Sequence, residues 1–238
     1  MRTLALSLAA LAVGTLAASE APTIVTSGRP NVRACAECHL ATGFGRPDSS
    51  SLAGLPAPYL EQQIADFRRG LRQSGEPDAA THVRSMASIA TALSDEDLHA
   101  AAAYFASTPY RPWVRVVERD GATGIVEVPA GTTGGYVAYV PPGSIAHGRV
   151  LVETGSRGHT VRCALCHGDD LNGLGPVPAL AGRSPTYAVR QLRDMKQETR
   201  HGLGADLMRA TVARLSINDM VAIAAYLASR QAGSRPPS

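Results

Sequence analysis

The chain has 238 residues, of which 45% are hydrophobic and only 5% aromatic, a length that suits two small domains better than one large one. Its formal charge of +3 is too small to indicate a nucleic-acid-binding protein. Because large apolar side chains are scarce, each half would form a thin core and would gain stability from a bound cofactor.

The N-terminus has the pattern of an export signal. Arg2 precedes an apolar stretch from Leu4 to Val13, which only Ser7 interrupts, and the small residues Ala17 to Ser19 follow. This stretch is shorter than the roughly 20 residues that span a bilayer. We therefore expect residues 1–21 to be a signal peptide and the mature protein to lie in the periplasm.

Two copies of one pentapeptide, Cys-x-x-Cys-His, contain every cysteine of the chain. This spacing is the attachment signal of c-type haem, in which two thiols bond to the porphyrin and the adjacent histidine ligates the iron. The sequence therefore predicts two covalently bound haem c groups. Their attachment sites are Cys35, Cys38, Cys163 and Cys166, and their first iron ligands are His39 and His167.

Three other interpretations of the cysteines are weaker. A thioredoxin-like redox pair does not explain a histidine after each motif, and two disulfides would leave both histidines without a role. A zinc site with four thiolates would have to join motifs that lie 128 residues apart, far beyond the spacing of compact zinc modules.

The two motifs belong to an internal repeat, which indicates a duplicated domain. At an offset of 128 residues Leu52-Ala53-Gly54 matches Leu180-Ala181-Gly182, Tyr59 matches Tyr187, and Gln63 matches Gln191. Further on the offset is 122, and Met86 matches Met208. We expect the six extra residues of the first copy to lie in a loop around Gln73 to His82.

Each copy is predicted to end in a capped helix. Ser94 and Ser216 are N-cap candidates, and Asp97 and Asp219 follow three residues later, as in a capping box. The helices predicted in the two copies are Tyr59 to Arg69, Leu98 to Ala106, Tyr187 to Met195 and Met220 to Ala228. A further helix, Ser144 to Glu153, precedes the second motif, whereas the first copy has room for a short helix or none there.

The repeat also selects candidates for the sixth iron ligand. Class I c-type haems take methionine sulfur at this position. Met195 and Met220 match ordinary apolar residues of the first copy, whereas Met86 and Met208 match each other. We therefore expect His39 with Met86, and His167 with Met208, to ligate the two irons. His82 and His201 are weaker candidates, and His99, His147 and His159 are expected to be surface or structural residues.

Residues 109–143 are too long for a simple linker. They contain three β-branched runs separated by glycine-rich turns, and Trp113, Tyr136 and Tyr139 are costly to leave exposed. We expect an extended strap with a possible β-hairpin that fixes one copy against the other.

With these motifs the chain resembles the diheme class I cytochromes c of bacteria. The resemblance implies an all-α fold with two tandem cytochrome c domains, and haem attachment outside the cytoplasm. The expected domains are 22–108 and 144–230, joined by the strap 109–143 and followed by a tail, 231–238. In the family a proline carbonyl binds the iron-ligating histidine. Pro178 matches that proline, but the first copy has Ser50 there.

The resemblance implies an electron carrier, since two six-coordinate irons leave no open site for a substrate. The expected partners are a dehydrogenase or quinol-oxidising complex as donor and a terminal oxidase or reductase as acceptor, with peripheral association to a membrane complex also open. A cytochrome subunit of a dehydrogenase, or a diheme enzyme such as a peroxidase, would use the same motifs. We expect no catalytic residues and no nucleic-acid partner.

Overall fold

The computed structural model describes residues 20–231 and 233, and it is mostly helical. Residues 1–19, which hold nearly all of the predicted signal peptide, lie outside the described residues, as does most of the predicted tail. No helix in the described part is long and apolar enough to cross a membrane.

Both copies consist of helices, and these helices include the four that the repeat predicts. In the first copy they are α1 (Thr23–Thr26), α2 (Ala36–His39), α3 (Ala57–Arg68), α4 (Pro77–Ala92) and α5 (Asp95–Ser107). In the second copy they are α6 (Ser144–Thr154), α7 (Ala164–His167), α8 (Pro185–Lys196), α9 (Leu203–Asp206), α10 (Arg209–Val212) and α11 (Ile217–Ser229).

The predicted caps are present at the start of both terminal helices. Ser94 accepts a hydrogen bond from the backbone N–H of Asp97, and Ser216 does the same for Asp219. In α11 the Asp219 carboxylate also accepts from the backbone N–H of Ser216, which completes the capping box. In α5 the Asp97 carboxylate instead forms a two-point ion pair with Arg29, at 2.7 and 3.0 Å.

The prediction that the six extra residues form a loop is wrong for part of the segment. Residues 77–82 form the start of α4, because Pro77 occupies the first turn, where its missing N–H costs nothing, and helix-forming alanines follow. The second copy has two short helices, α9 and α10, where the first has the single long helix α4. The two copies therefore differ in the segment that carries Met86 and Met208.

The strap forms a three-stranded sheet with strands β1 (Val114–Glu118), β2 (Val126–Pro129) and β3 (Tyr136–Val140). Strands β2 and β3 form the predicted antiparallel hairpin, while β1 pairs in parallel with the other edge of β3. Trp113 donates its ring N–H to the carbonyl of Gly45 at 3.2 Å and packs against Phe44. The aromatic side chain at the start of the strap is thus anchored on the loop that follows the first cysteine motif.

The second copy packs more tightly than the first around its terminal helix. Nearly every residue of α11 from Asp219 to Ala228 is buried. Helix α6 crosses α11 at Gly148, where an added Cβ atom would lie only 1.9 Å from the carbonyl oxygen of Ala222. The first copy has only the four-residue α1 in the place of α6, as the short segment before its motif predicts.

Candidate haem sites and the seam between them

Both candidate iron-ligating histidines are held by a backbone carbonyl. His39 Nδ1 lies 2.9 Å from the Ser50 oxygen, and His167 Nδ1 lies 2.8 Å from the Pro178 oxygen. Because a carbonyl oxygen only accepts hydrogen bonds, Nδ1 must carry the proton in both rings. The lone pair of each imidazole is then on Nε2, the nitrogen available to a metal.

Burial keeps both imidazoles neutral. It lowers the pKa of His39, against the hydrogen bond to Ser50, and the positive charge of Arg72 lowers this pKa further. Burial likewise lowers the pKa of His167, against the hydrogen bond to Pro178. A neutral imidazole is the form that ligates iron, so the protonation state of both rings suits that role.

The four cysteines lie on the two short helices α2 and α7 or directly before them, and no two of them form a disulfide. Within residues 20–231 and 233, no cluster of three or more histidine, cysteine, aspartate or glutamate side chains could hold a metal ion. The arrangement therefore gives no support to a zinc site shared by the two motifs.

Met86 and Met208 are both half-buried, but they lie in different local structures. Met86 lies in the middle of α4, one turn after His82, whereas Met208 lies between α9 and α10 and packs against the core of the second copy. The assignment of these two sulfur atoms as iron ligands therefore rests on the sequence repeat and not on a shared local structure.

Three other histidines have hydrogen-bond partners of their own. His147 and His159 both direct Nε2 to the Asp219 carboxylate, at 2.8 and 3.2 Å, and so extend the cap of α11. His99 bonds to the carbonyl of Asp95 within α5. These three contacts agree with the expected structural role.

The two copies meet along a polar seam whose side chains are related by the repeat. We define this seam by Tyr59, Gln63, Arg72, Tyr187, Gln191 and Arg200. Arg72 of the first copy donates to Tyr187 and Gln191 of the second, at 3.2 and 3.0 Å. Arg200, which matches Arg72 at the 128-residue offset, donates to Gln63 at 2.9 Å and to Tyr59 at 3.5 Å. The contacts are therefore reciprocal.

Backbone hydrogen bonds join the copies at the same place. Arg72 and Arg200 form an isolated antiparallel bridge. The N–H of Gln73 donates to the carbonyl of Thr199 at 2.8 Å, and the N–H of His201 donates to that of Leu71 at 2.7 Å. The segments that follow α3 and α8 thus pair like two short strands across the seam.

The seam and its surroundings are rich in positively charged side chains and in buried hydrogen-bond donors. The oxygens that Arg72 and Arg200 contact belong to neutral amides and hydroxyls. The Nε atoms of Arg183 and Arg200 are buried without a hydrogen-bond partner among the described residues. Burial raises the pKa of Tyr187, but the positive charges of Arg72, Arg200 and Arg190 outweigh this effect and lower it to about 8.

Such a site fits an anionic group. A haem carries two propionate carboxylates, and the charge of Arg72 acts on His39, a candidate iron ligand. Guanidinium groups without a carboxylate partner are suited to bind carboxylates. The residues present therefore fit a haem. The motifs supply cysteine sulfur for attachment and imidazole nitrogen for the iron, and the seam supplies arginine and tyrosine donors for the propionates.

The seam arginines are not among the residues that the sequence motifs indicate. Arg72 and Arg200 match at the same offset as the tyrosine and glutamine pairs, so a longer alignment of the repeat would have found them. Arg183 and Arg190, which lie near the seam, have Leu55 and Gln62 at the matching positions, so the repeat carries no signal for them.

Family models match both copies. Residues 29–109 match the cytochrome c family, and residues 151–227 match the family of subunit III of cbb3-type cytochrome c oxidase. The chain belongs to the cytochrome c family. It has two tandem class I domains and carries two covalently bound haem c groups, one for each motif.

Relatives cover most of this cytochrome. The thiosulfate dehydrogenase electron acceptor of Stutzerimonas stutzeri is 29% identical over 217 residues, which are 89% of this chain and 87% of the relative. The crystal structure of reduced cytochrome c4 from Pseudomonas stutzeri aligns with a TM-score of 0.59 and 27% identity, covering 82% of this chain and 93% of that one.

A third relative is a longer protein. The structure of the thiosulfate dehydrogenase TsdBA from Marichromatium purpuratum aligns with a TM-score of 0.65 and 31% identity over 87% of this chain. The match covers only 39% of the TsdBA chain, so this cytochrome spans well under half the length of that protein.

Proposed function

We propose that the protein is a periplasmic electron carrier that accepts electrons from a dehydrogenase and passes them to a terminal oxidase or reductase. Cys35 and Cys38 hold the first haem, with His39 and Met86 as iron ligands. Cys163 and Cys166 hold the second, with His167 and Met208. When bound, each haem supplies reversible one-electron exchange at its iron.

The observation that carries this proposal is the reciprocal seam. Arg72 and Arg200 each lie in one domain and bond to side chains of the other, so the two domains share one set of donors. Direct backbone hydrogen bonds fix this arrangement. A rigid junction between two redox sites favours transfer of electrons within the chain, which is the property a carrier with separate entry and exit surfaces needs.

Iron ligation favours a carrier over an enzyme. Each domain offers a neutral histidine and, at the matched position, a methionine thioether. With both ligands bound, neither iron has an open position, so outer-sphere electron transfer is favoured over chemistry on a substrate. The export pattern of residues 1–21 supports a periplasmic location.

Among dehydrogenases, we propose a thiosulfate dehydrogenase as the electron donor. A relative of nearly the same length is named as the electron acceptor of such an enzyme, and a second match lies within a thiosulfate dehydrogenase chain. Oxidative coupling of two thiosulfate ions releases two electrons, and two haems can accept both. One turnover of the donor would therefore fully reduce one molecule of the carrier.

Stopped-flow reduction of the oxidised holoprotein tests the choice of donor. Thiosulfate together with a purified thiosulfate dehydrogenase is expected to reduce both haems, as followed by visible absorption, while thiosulfate alone reduces neither. Reduction by thiosulfate alone would indicate catalysis by this chain. A protein that ascorbate reduces but the enzyme and thiosulfate do not would exclude this donor.

A permanent subunit of a dehydrogenase is the second candidate, because the TsdBA chain contains a region similar to this protein within a longer polypeptide. Size-exclusion chromatography of the holoprotein with the dehydrogenase distinguishes the two roles. A carrier elutes separately at micromolar concentrations, whereas a subunit elutes with the enzyme.

A further inference from the structure

The loop of residues 48–53 positions the histidine of the first haem site. Its Ser50 carbonyl accepts the hydrogen bond from His39 Nδ1 at 2.9 Å. The matching loop of the second domain, residues 176–181, holds His167 in the same way through Pro178. The closing backbone bonds also match, from Leu52 to Gly43 at 2.7 Å and from Leu180 to Leu171 at 2.8 Å.

The two loops differ in what fixes their backbone. The second loop has proline at both 176 and 178, and proline restricts its own φ angle and the conformation of the residue before it. The first loop has Asp48 and Ser50 at these positions, so its backbone has more freedom. One restraint is local, because the hydroxyl of Ser51 donates to the Phe44 carbonyl at 2.6 Å, and further restraints come from the second domain.

Arginines from the second domain provide contacts at the same place. Arg183 donates from Nη1 to the Ser51 carbonyl and from Nη2 to the Ala53 carbonyl, both at 3.0 Å. Arg190 donates from both terminal nitrogens to the Asp48 carbonyl at 3.2 Å. The carbonyls on both sides of Ser50 are therefore bound by guanidinium groups that lie 130 to 142 residues away in sequence.

The strap in turn fixes the segment that carries Arg183. The Arg183 guanidinium stacks over the Tyr110 ring at 4.3 Å, and the Tyr110 hydroxyl donates to the Gly182 carbonyl at 2.6 Å. The hydroxyl of Ser184 donates to Glu127 of β2 at 2.9 Å. Both neighbours of Arg183 in the chain are thus held by strap residues, which limits the positions its side chain can take.

We propose that Arg183 is a positioning residue for the first haem: it replaces the missing proline by clamping the loop whose Ser50 carbonyl orients His39. The inference rests on the proposed ligation of iron by His39. It is specific to the first site, because the second domain has its own prolines, and because the first domain has at the position that matches Arg183 the buried residue Leu55, whose side chain cannot donate a hydrogen bond.

The direction in which the potential of the first haem shifts follows from the hydrogen bond between His39 and the Ser50 carbonyl. A carbonyl that accepts from Nδ1–H makes the imidazole a stronger donor to the metal, which favours the ferric state. Loosening the loop weakens this bond, so the first haem should become easier to reduce while the second is unaffected.

The test substitutes Arg183→Lys, which keeps the positive charge and loses the two-carbonyl fork. The midpoint potential of the first haem is expected to rise, with a several-fold shift of its redox equilibrium; a tenfold shift corresponds to about 59 mV. Solvent exchange of the His39 ring N–H, followed by NMR of the reduced holoprotein, is expected to accelerate. Arg149→Lys, at an exposed residue of α6, is the matched control.

Ser50→Pro supplies the decisive comparison, because position 178 already accommodates proline in the same loop geometry. Ser50→Pro is expected to reverse the effects of Arg183→Lys and to change the first haem little when Arg183 is present. Equal effects of Ser50→Pro in both backgrounds would overturn the proposal, as would an unchanged potential and exchange rate in Arg183→Lys. A spectrum that stays low-spin in these variants shows that ligation by His39 stands independently.

Discussion

Met86 and Met208 correspond in the sequence repeat, yet one lies inside a continuous helix and the other between two short helices. His82 lies four residues before Met86, on the same face of α4. Position alone therefore does not decide which of these two side chains ligates the first iron. The difference arises from the six additional residues of the first domain, which extend α4.

Replacing each methionine by alanine is therefore informative. Met208→Ala is expected to open the second iron, lower its potential and allow the reduced protein to bind carbon monoxide, because the thioether no longer occupies the sixth position. Met86→Ala is expected to do the same at the first iron. Carbon monoxide titration and redox titration measure both effects.

Met195→Leu is the control for these variants, because Met195 is a buried residue of α8 in the core of the second domain. It should leave both irons six-coordinate. If Met86→Ala bound no carbon monoxide and His82→Ala did, the first haem would have two histidine ligands.

Residues with a local signature could be predicted from the sequence, and those with distant partners could not. The Cys-x-x-Cys-His motifs and the Ser94 and Ser216 caps each depend on neighbours within five residues. The loss of proline at Ser50 is visible in the sequence, but its compensating contact with Arg183 is not, because an arginine 132 residues away carries no mark of its target.

At the scale of secondary-structure elements, the strap also combines a local pairing that the sequence predicts with a distant one that it does not. The runs that form β2 and β3 lie close enough in sequence to predict a hairpin. The parallel pairing of β1 with β3 aligns Val114 with Tyr136, across the intervening strand β2, and no short-range pattern specifies it. The four long paired helices, in contrast, follow from their caps and their repeated tyrosine and glutamine positions.

Strand β2 carries a titratable group at its contact with α8. Burial raises the pKa of Glu127 to about 7, although the hydrogen bond from Ser184 acts in the opposite direction. The folded protein therefore favours the protonated carboxyl. This contribution to stability is fully present below the unfolded pKa of about 4.5 and is lost as the pH rises through about 7.

Glu127→Gln mimics the protonated carboxyl at every pH. The variant is expected to match the parent at pH 4 and to be more stable at pH 8, by up to about 3 kcal/mol. Thermal unfolding across this pH range measures the difference. Asp120→Asn, in an exposed turn of the strap, is the matched control for the loss of a carboxylate, and an equal gain for Glu127→Gln at both pH values would contradict the ionisation argument.

At the scale of the whole molecule, the seam makes one unit of two domains. Arg200 contributes hydrogen bonds on both sides of it, to Gln63 of the first domain and Gln191 of the second, at 2.9 and 2.8 Å. A half-buried ion pair between Glu76 and Arg193 also joins the domains. Because solvent reaches and screens this pair, the internal Arg200 should matter more.

Arg200→Met, which keeps a similar side-chain length without charge, is expected to cost about 2 kcal/mol and to separate unfolding into two transitions, one for each domain. Glu76→Gln should lower stability by less than about 1 kcal/mol and leave the transition single. Differential scanning calorimetry of the holoprotein makes the comparison. A single cooperative transition in Arg200→Met would show that other contacts couple the domains.

The bonds from Arg183 and Arg190 to the loop of residues 48–53 also set an order for maturation of the chain. In the export that we propose for this chain, the first domain emerges before these arginines do, so its loop must wait for the second domain and the strap to fold. The site nearest the N-terminus is therefore completed last. A fragment that ended before the strap would contain every predicted ligand of the first haem and still lack the residues that hold its histidine in place.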